Sequence, residues 1–532
     1  MGRNPPGTGQ VWVPNSVIRA GTDASADRMA DPDLRANETQ PPAYHALEPA
    51  PKRPLFESAN RRYDPESAPE NISPAKSLPN LPHDDSNHAP RAFDRLRPSL
   101  QFVLVWVVLP NLAFLSLWVT GGPIRTLAII LYLFIGLLAR RLPFALVAVL
   151  FLIAVIFDVL FVLSNVFNLS VLSFVYAIEY AWTLRPFASA TYVLFGAALI
   201  ASTVAVIWLG HRVKSRFPEA SIGVIALSAG AIMAADTAIN LTPEYSFGQF
   251  LSRAAPFDSA VRRSGLIDAE ASGVSGGAKR NILIVMVESW GRLKDPAQRA
   301  LIEAPFNRAA VTERYTISTG VTPYYGSTTA GELRELCGEW GSYRDYLDRP
   351  AAHCLPARLG EAGYRTIAFH GFAGGMFDRG LWYPNIGFQE MRFAAELWQP
   401  GERICTGVFT GACDTDVADD VGQALADANG APQLVYWLTL NSHLPVHPDF
   451  ERRFLDCESP GGPFESEQVC RLAELWLQVF DRVADIVAAP GLPPTDVLIV
   501  ADHPPPFWSH QGRSYFVPGE VPWILLRSRA AG

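Results

Sequence analysis

The sequence predicts an α/β domain with a central, largely parallel sheet, set behind a bundle of membrane-spanning helices and a polar N-terminal tail. Three observations predict this. Of the 532 residues 49% are apolar and 18% charged, yet long uncharged runs are concentrated between residues 101 and 239. From residue 278 onward, short apolar strand-like runs alternate with helical patterns, the sequence form of a parallel sheet with crossover helices. All six cysteines, Cys337, Cys354, Cys405, Cys413, Cys457 and Cys470, fall in that second part. The length exceeds one domain at about 100–200 residues each. A net charge of −8 excludes the basic footprint that nucleic-acid binding requires.

Residues 1–98 mix Pro, Asn, Asp, Ser and Arg, as in PPAYHALEPAPKRP, without a periodic apolar pattern. No core can form there, and a disordered cytoplasmic tail is expected. No basic start followed by an apolar stretch precedes it, so the first span is expected to act as the export signal. Within 99–240 lie five apolar segments, Gln101–Thr120, Ile124–Ala139, Pro143–Ser164, Tyr192–Leu209 and Ile222–Ile239. Each is near the roughly 20 residues a bilayer needs, the second being short. Arg91, Arg95 and Arg97 precede the first, Arg140 and Arg141 join the second to the third, and Arg212, Lys214 and Arg216 join the fourth to the fifth. Positive charge collects in cytoplasmic loops, so the amino terminus is expected inside and everything after residue 240 outside.

Asp158 lies inside the third span, where a carboxylate is costly and faces protein or water: a packed structural acid is the ordinary reading, a proton relay the functional one. Aromatic residues between Val166 and Pro186 suggest an interfacial element that anchors at, or touches, lipid headgroups. Residues 241–277 read as a linker to the domain at 278–532. The even, one-sided set of cysteines points to disulfides in an oxidising compartment. Sequential pairs are expected, Cys337 with Cys354, Cys405 with Cys413 and Cys457 with Cys470; a zinc site is disfavoured because no short CxxC pair occurs.

Four strand-like runs in the last domain end in ligand-type residues. NILIVMV runs into Glu288 and Ser289, YRTIAF into His370, LVYWLTL into Asn441, Ser442 and His443, and VLIVA into Asp502 and His503. Ligands bind at the carboxyl ends of strands in open α/β sheets, so these endings converge on one crevice. Hard oxygen donors with one imidazole suit Mn²⁺, Zn²⁺ or Mg²⁺. The segment TPYYGSTTAGELREL places Thr328 and Thr329 before a helix expected over Gly331–Trp340. Either threonine is an N-cap by itself, and a nucleophile once a metal stabilises its alkoxide.

These residues resemble the alkaline phosphatase and sulfatase superfamily, in its membrane-anchored branch of lipoteichoic acid synthase-like and phosphoethanolamine transferase-like enzymes. The resemblance covers the spans and residues 278–526 and implies a sulfatase-like fold. It implies one divalent metal, Mn or Zn with Mg possible, on Glu288, Thr328, Asp502 and His503, with Thr328 as nucleophile. FHGFAGGMFDRG would supply Arg379, with Phe377 nearby, and NSHLP would supply His443 around the phosphate; His370 and His510 are further candidates. DHPPPFWSH departs from the family, which has a glycine soon after Asp-His. The implied activity is transfer of phosphoglycerol or phosphoethanolamine from a membrane phospholipid to a glycan or lipid acceptor through a phosphothreonine, in a bacterial inner membrane with the catalytic domain in the periplasm. No obligate protein partner is expected. The alternatives are a hydrolase of the same fold and a silent scaffold; a sulfatase with a formylglycine-type nucleophile is not expected.

Overall fold

The structure is a computed structural model, and it describes residues 92–114, 124–166, 190–240, 256–267, 279–399, 401–427, 430–446, 450–458, 462–507 and 509–529. The expected tail lies outside the described residues as far as residue 91; its last part, from Ala92, is already helical. The aromatic stretch 167–189 also lies outside them.

Among the described residues four helices are long and apolar enough to cross a membrane, Leu96–Phe114, Phe144–Ser164, Tyr192–Glu219 and Ile222–Ile239. The expected second span is the shorter apolar helix Thr126–Leu138, with 13 residues and a length of about 20 Å. Its start is satisfied by protein groups instead of water. The backbone N–H of Arg125 donates to Asp236 Oδ2 at 2.6 Å, and the Arg125 guanidinium makes a two-pronged ion pair with Asp158 at 2.5 and 2.6 Å. In the first helix Leu104–Val108 widens to a π-helix just before Pro110. Pro110 has no N–H to offer the preceding turn, which favours such a local readjustment.

The C-terminal domain is built on strands β1 Asn281–Val287, β2 Tyr315–Pro323, β3 Arg365–His370, β4 Glu390–Arg392, β7 Gln433–Leu438, β8 Thr495–Ala501 and β9 Glu520–Ser528. Their order is β2-β9-β8-β1-β7-β3-β4. From β8 to β4 every pairing is parallel, while β9 runs antiparallel to β8 and to β2. A small hairpin, β5 Ile404–Cys405 and β6 Gly411–Ala412, lies outside the main sheet.

All of β1, β7 and β8 is buried, because helices cover both faces. Leu283, Val285 and Val287 pack with Trp476 and Phe480 of the helix Glu467–Ala488, and the alternate residues Ile282, Ile284 and Met286 pack with Leu333, Leu336 and Trp382. This explains why the strands read as unbroken apolar runs instead of alternating ones. The expected linker is partly ordered: in the short helix Ala260–Arg263 the backbone N–H groups of Ala260 and Val261 donate to Glu335. The cysteines form Cys337–Cys354, Cys405–Cys413 and Cys457–Cys470, the sequential pairing.

Candidate metal centre

Parallel register assembles the site. Val287 at the end of β1 is aligned with Ala501 at the end of β8, and Met286 with Leu438 at the end of β7, so the next residues emerge side by side at one edge of the sheet. Glu288 is buried, its N–H donating to Thr439 Oγ1 at 2.9 Å. Ser289 takes φ of 55°, a left-handed conformation uncommon outside glycine, which turns the chain sharply at the strand end. From there its N–H donates to Asp502 Oδ1 and its hydroxyl to Glu288 Oε1, both at 2.8 Å.

The nucleophile candidate comes from the other side of the crevice. The helix forms over Thr328–Leu336, earlier than the expected Gly331–Trp340, with Ser327 in the N-cap position and Thr328 in its first turn. Thr328 Oγ1 lies 3.2 Å from Glu288 Oε2 and 3.4 Å from His503 Nε2. Gly331 allows this approach, since a Cβ there would sit 2.9 Å from the Asp502 Cα. Buried Arg334 on the same helix donates to the main-chain carbonyls of Ala501 and Asp502 at 2.6 and 3.2 Å, tying helix and β8 together.

Glu288, Asp502 and His503 offer one ligand atom each within 4.8 Å of one another. His503 Nδ1–H donates to the Pro504 carbonyl at 2.9 Å, so Nε2 turns its lone pair to the cluster, as a ligating imidazole must. Asp502 Oδ2 is buried with no hydrogen-bond partner among the described residues. Burial first, then the charge of Glu288, pushes the Asp502 carboxyl up to about 7. Burial opposes charge on His503, yet Asp502 and Glu288 outweigh it and hold the imidazole above its ordinary value. Two carboxylates, an imidazole and a hydroxyl with a stranded oxygen lack positive charge, and a divalent cation fits that donor set.

The other candidates sit apart. Arg379 is buried and its guanidinium is committed to Glu332, at 2.9 to 3.3 Å, rather than turned to Thr328. Tyr383 and Tyr436 also donate to Glu332. Phe377 and Asp378 both take left-handed φ near 55°, and the Phe377 ring lies 5.4 Å from the Arg379 guanidinium. His370 is buried with Nδ1 at 3.1 Å from the Leu438 carbonyl; burial, then the nearby Arg379 charge, pushes it down to about 3 and keeps it neutral. His443 donates from Nδ1 to the Leu444 carbonyl at 2.8 Å and is pushed down to about 4, chiefly by burial. His510 begins the short helix His510–Ser514, and its side chain lies outside those described.

Sequence reasoning passed over Glu332, Arg334, Thr439 and Asp414. Asp414 accepts the N–H groups of Leu440 and Asn441 at 2.7 to 3.1 Å and so fixes the end of β7. Glu332 follows Thr328 by one helical turn within the segment already singled out, and its spacing was the available signal.

Residues 280–503 match the Sulfatase family model. This stretch is a sulfatase-like domain. No curated protein matches the chain. Among solved structures, the sulfatase-like domain is similar to the lipoteichoic acid synthase LtaP from Listeria monocytogenes, at 16% identity and a TM-score of 0.37 over 49% of this chain and 71% of that one. It is also similar to the Streptococcus pyogenes phosphoglycerol transferase GacH, at 16% identity and a TM-score of 0.33 over 50% and 73%. The C-terminal periplasmic domain of EptC from Escherichia coli, in complex with Zn, gives 15% and 0.34 over 48% and 75%. One stretch of the sulfatase-like domain, Cys354-Leu355-Pro356-Ala357-Arg358, does have the C-x-P-x-R form of a formylglycine precursor, contrary to expectation. Cys354 is bonded to Cys337 and precedes a different helix, Leu355–Glu361, so it does not stand in the place of Thr328.

Proposed function

We propose that the protein is a metal-dependent membrane transferase that moves phosphoglycerol or phosphoethanolamine from a phospholipid to a glycan or lipid acceptor through a phosphothreonine on Thr328. The observation that carries this reading is the position of Thr328 Oγ1, within hydrogen-bond reach of both Glu288 and His503 beside the stranded Asp502 oxygen. Glu288, Asp502, His503 and Thr328 would hold the cation, Mn²⁺ or Zn²⁺; bound there, it would stabilise the threonine alkoxide and neutralise phosphate oxygens.

In the first step Thr328 Oγ attacks phosphorus and its proton passes to the carboxylate cluster; the phosphorus–oxygen bond to diacylglycerol breaks, and the leaving oxygen takes up that proton to depart as the alcohol. In the second, an acceptor hydroxyl displaces Thr328. A neutral His443, with Nδ1–H committed to a carbonyl, keeps Nε2 available as a proton acceptor across the ordinary pH range. Membrane helices on the same chain favour a donor that lies in the bilayer surface, and the arginines of the intervening loops favour a periplasmic sulfatase-like domain in a bacterial inner membrane. No protein partner is needed for this chemistry.

The test uses the full chain in lipid nanodiscs with added Mn²⁺ or Zn²⁺. Intact mass should show a phosphoglycerol or phosphoethanolamine adduct that disappears in Thr328→Ala and on chelation. Full turnover by Thr328→Ala rejects the nucleophile, and lipid cleavage with water as the sole acceptor moves the assignment to hydrolase.

A further inference from the structure

Beside His443 the sulfatase-like domain holds a cavity of about 270 Å³. One wall is the β5–β6 hairpin, whose second strand runs into Cys413 of the Cys405–Cys413 disulfide. The facing wall is the segment after β7, with Asn441 and His443; Phe450, Glu451 and residues of the helix Glu467–Ala488 also line the space.

Two groups in this lining are unspent. Asn441 Oδ1 accepts the Asp414 N–H at 2.7 Å, while its NH₂ has no partner among the described residues. His443 uses Nδ1 on the Leu444 carbonyl, which leaves Nε2 without a partner among them. Aromatic surface flanks the pair, since the Phe409 ring lies 4.3 Å from the His443 ring and Phe450 lines the same space. The charged groups of the lining are partnered within the protein: Arg403 pairs with Glu451 and with Asp416, both at 2.5 Å, and Asp414 accepts the N–H groups of Leu440 and Asn441. A cavity with one donor, one acceptor, aromatic faces and compensated charge suits a neutral, hydroxyl-rich ligand. Its volume lies just below the range of about 300–1,000 Å³ typical of small-molecule sites, enough for one sugar ring and more than a three-carbon headgroup requires.

We propose that this cavity seats a sugar or sugar-like polyol residue of the acceptor, with one hydroxyl directed at His443 Nε2 and a neighbouring one held by the Asn441 NH₂. This rests on the transferase reading and names its acceptor chemistry. The acceptor hydroxyl gives its proton to Nε2 as its oxygen bonds to phosphorus; the phosphorus–Thr328 oxygen bond breaks, and the proton returns through solvent to the threonine alkoxide. Charge and atoms balance without a further reagent. His443 joins the two sites, because its ring lines the cavity and lies close enough to His503 and Asp502 to feel their charges.

The test compares the wild-type chain with Asn441→Asp, which keeps the oxygen that Asp414 uses but removes the donor, and with Phe450→Ala, which removes a ring and leaves the polar groups. All are studied in nanodiscs. Saturation-transfer NMR with methyl glucoside, methyl galactoside and methyl mannoside should show contact with wild type that both variants lose. In the transfer assay with a short soluble glycan or an alkyl-linked sugar, the acceptor KM should rise about tenfold or more in both variants, with the rate of Thr328 adduct formation unchanged within twofold; which of the two acceptors is used tells a free glycan from a lipid-linked one. Equal sugar contact and equal KM in wild type and variants overturn the cavity assignment while adduct formation leaves the transferase reading standing. Slowed adduct formation with unchanged acceptor KM also overturns it, because the cavity then holds the donor headgroup. Absence of any adduct in wild type rejects the transferase reading and the acceptor site with it.

Discussion

Two buried clusters of charge, one among the apolar helices and one at the edge of the sheet, differ in how completely they are compensated. In the first, the Arg125 guanidinium donates to Asp158 and Asn111, the Asp158 carboxylate also accepts from Tyr132, and the Phe114 ring covers the cation at 3.6 Å. Both oxygens of Asp158 and every guanidinium nitrogen are used. In the second, two carboxylates face a single imidazole, and Asp502 Oδ2 has no hydrogen-bond partner among the described residues, with only the His503 Nε2 at 3.4 Å beside it. A saturated cluster holds helices in place and has no capacity for a ligand; an undersupplied one is costly until a cation arrives. Asp158, read from sequence as an acid that needs a partner, thus falls on the structural side of this division.

The comparison predicts opposite consequences for similar substitutions. Arg125→Ala leaves Asp158 buried without its partner and should destabilise the protein by about 3–5 kcal/mol, which thermal unfolding in nanodiscs would register; joint replacement with Asp158→Leu should recover most of the loss. Asp502→Asn removes excess negative charge, so the chelated protein should unfold about 2–4 °C higher even as metal binding and turnover vanish, checked by metal analysis and calorimetry. A lower unfolding temperature for that variant would mean that the sheet-edge cluster is itself compensated.

Gly331→Ala sharpens the contrast by moving the helix of Thr328 without altering a candidate ligand. The added Cβ would meet Asp502 at 2.9 Å, so metal affinity should fall about tenfold or more in a titration, with a smaller change in stability. The smallest effect is a pH slope. Burial pushes Asp414 up to about 7 from its ordinary 3.8. The folded state therefore keeps a proton the unfolded chain loses, and stability should decline as pH rises from about 4 to 7 and level off above. Asp414→Asn should flatten that part of the curve, measured by denaturant titration with metal removed.

The spans were legible where apolar runs were long, and the sheet was legible because strands buried on both faces read as unbroken apolar runs. Glu288, Asp502 and His503 could be named from strand endings alone, since a hydrophobic strand stops where its side chains must become polar. Arg379 could not be placed by the same reasoning: its motif marks the segment, while its direction depends on Glu332 and the tyrosines around it. The second span was legible as short, while only the structure places the start of its helix against Asp236 and Asp158.

By itself, the sequence determined the kinds of layer, the strand ends that carry the acids and the imidazole of the candidate site, the threonine segment and the even set of cysteines, because these depend on local hydrophobic pattern and residue chemistry. The tertiary structure decided which strands are neighbours, hence that Glu288 lies beside Asp502, that Gly331 lets Thr328 reach them, that Arg379 is spent on Glu332, and that Asn441 and His443 border a cavity. Those outcomes depend on register and on close approach between segments far apart in the chain, and no local pattern encodes a distance across a sheet.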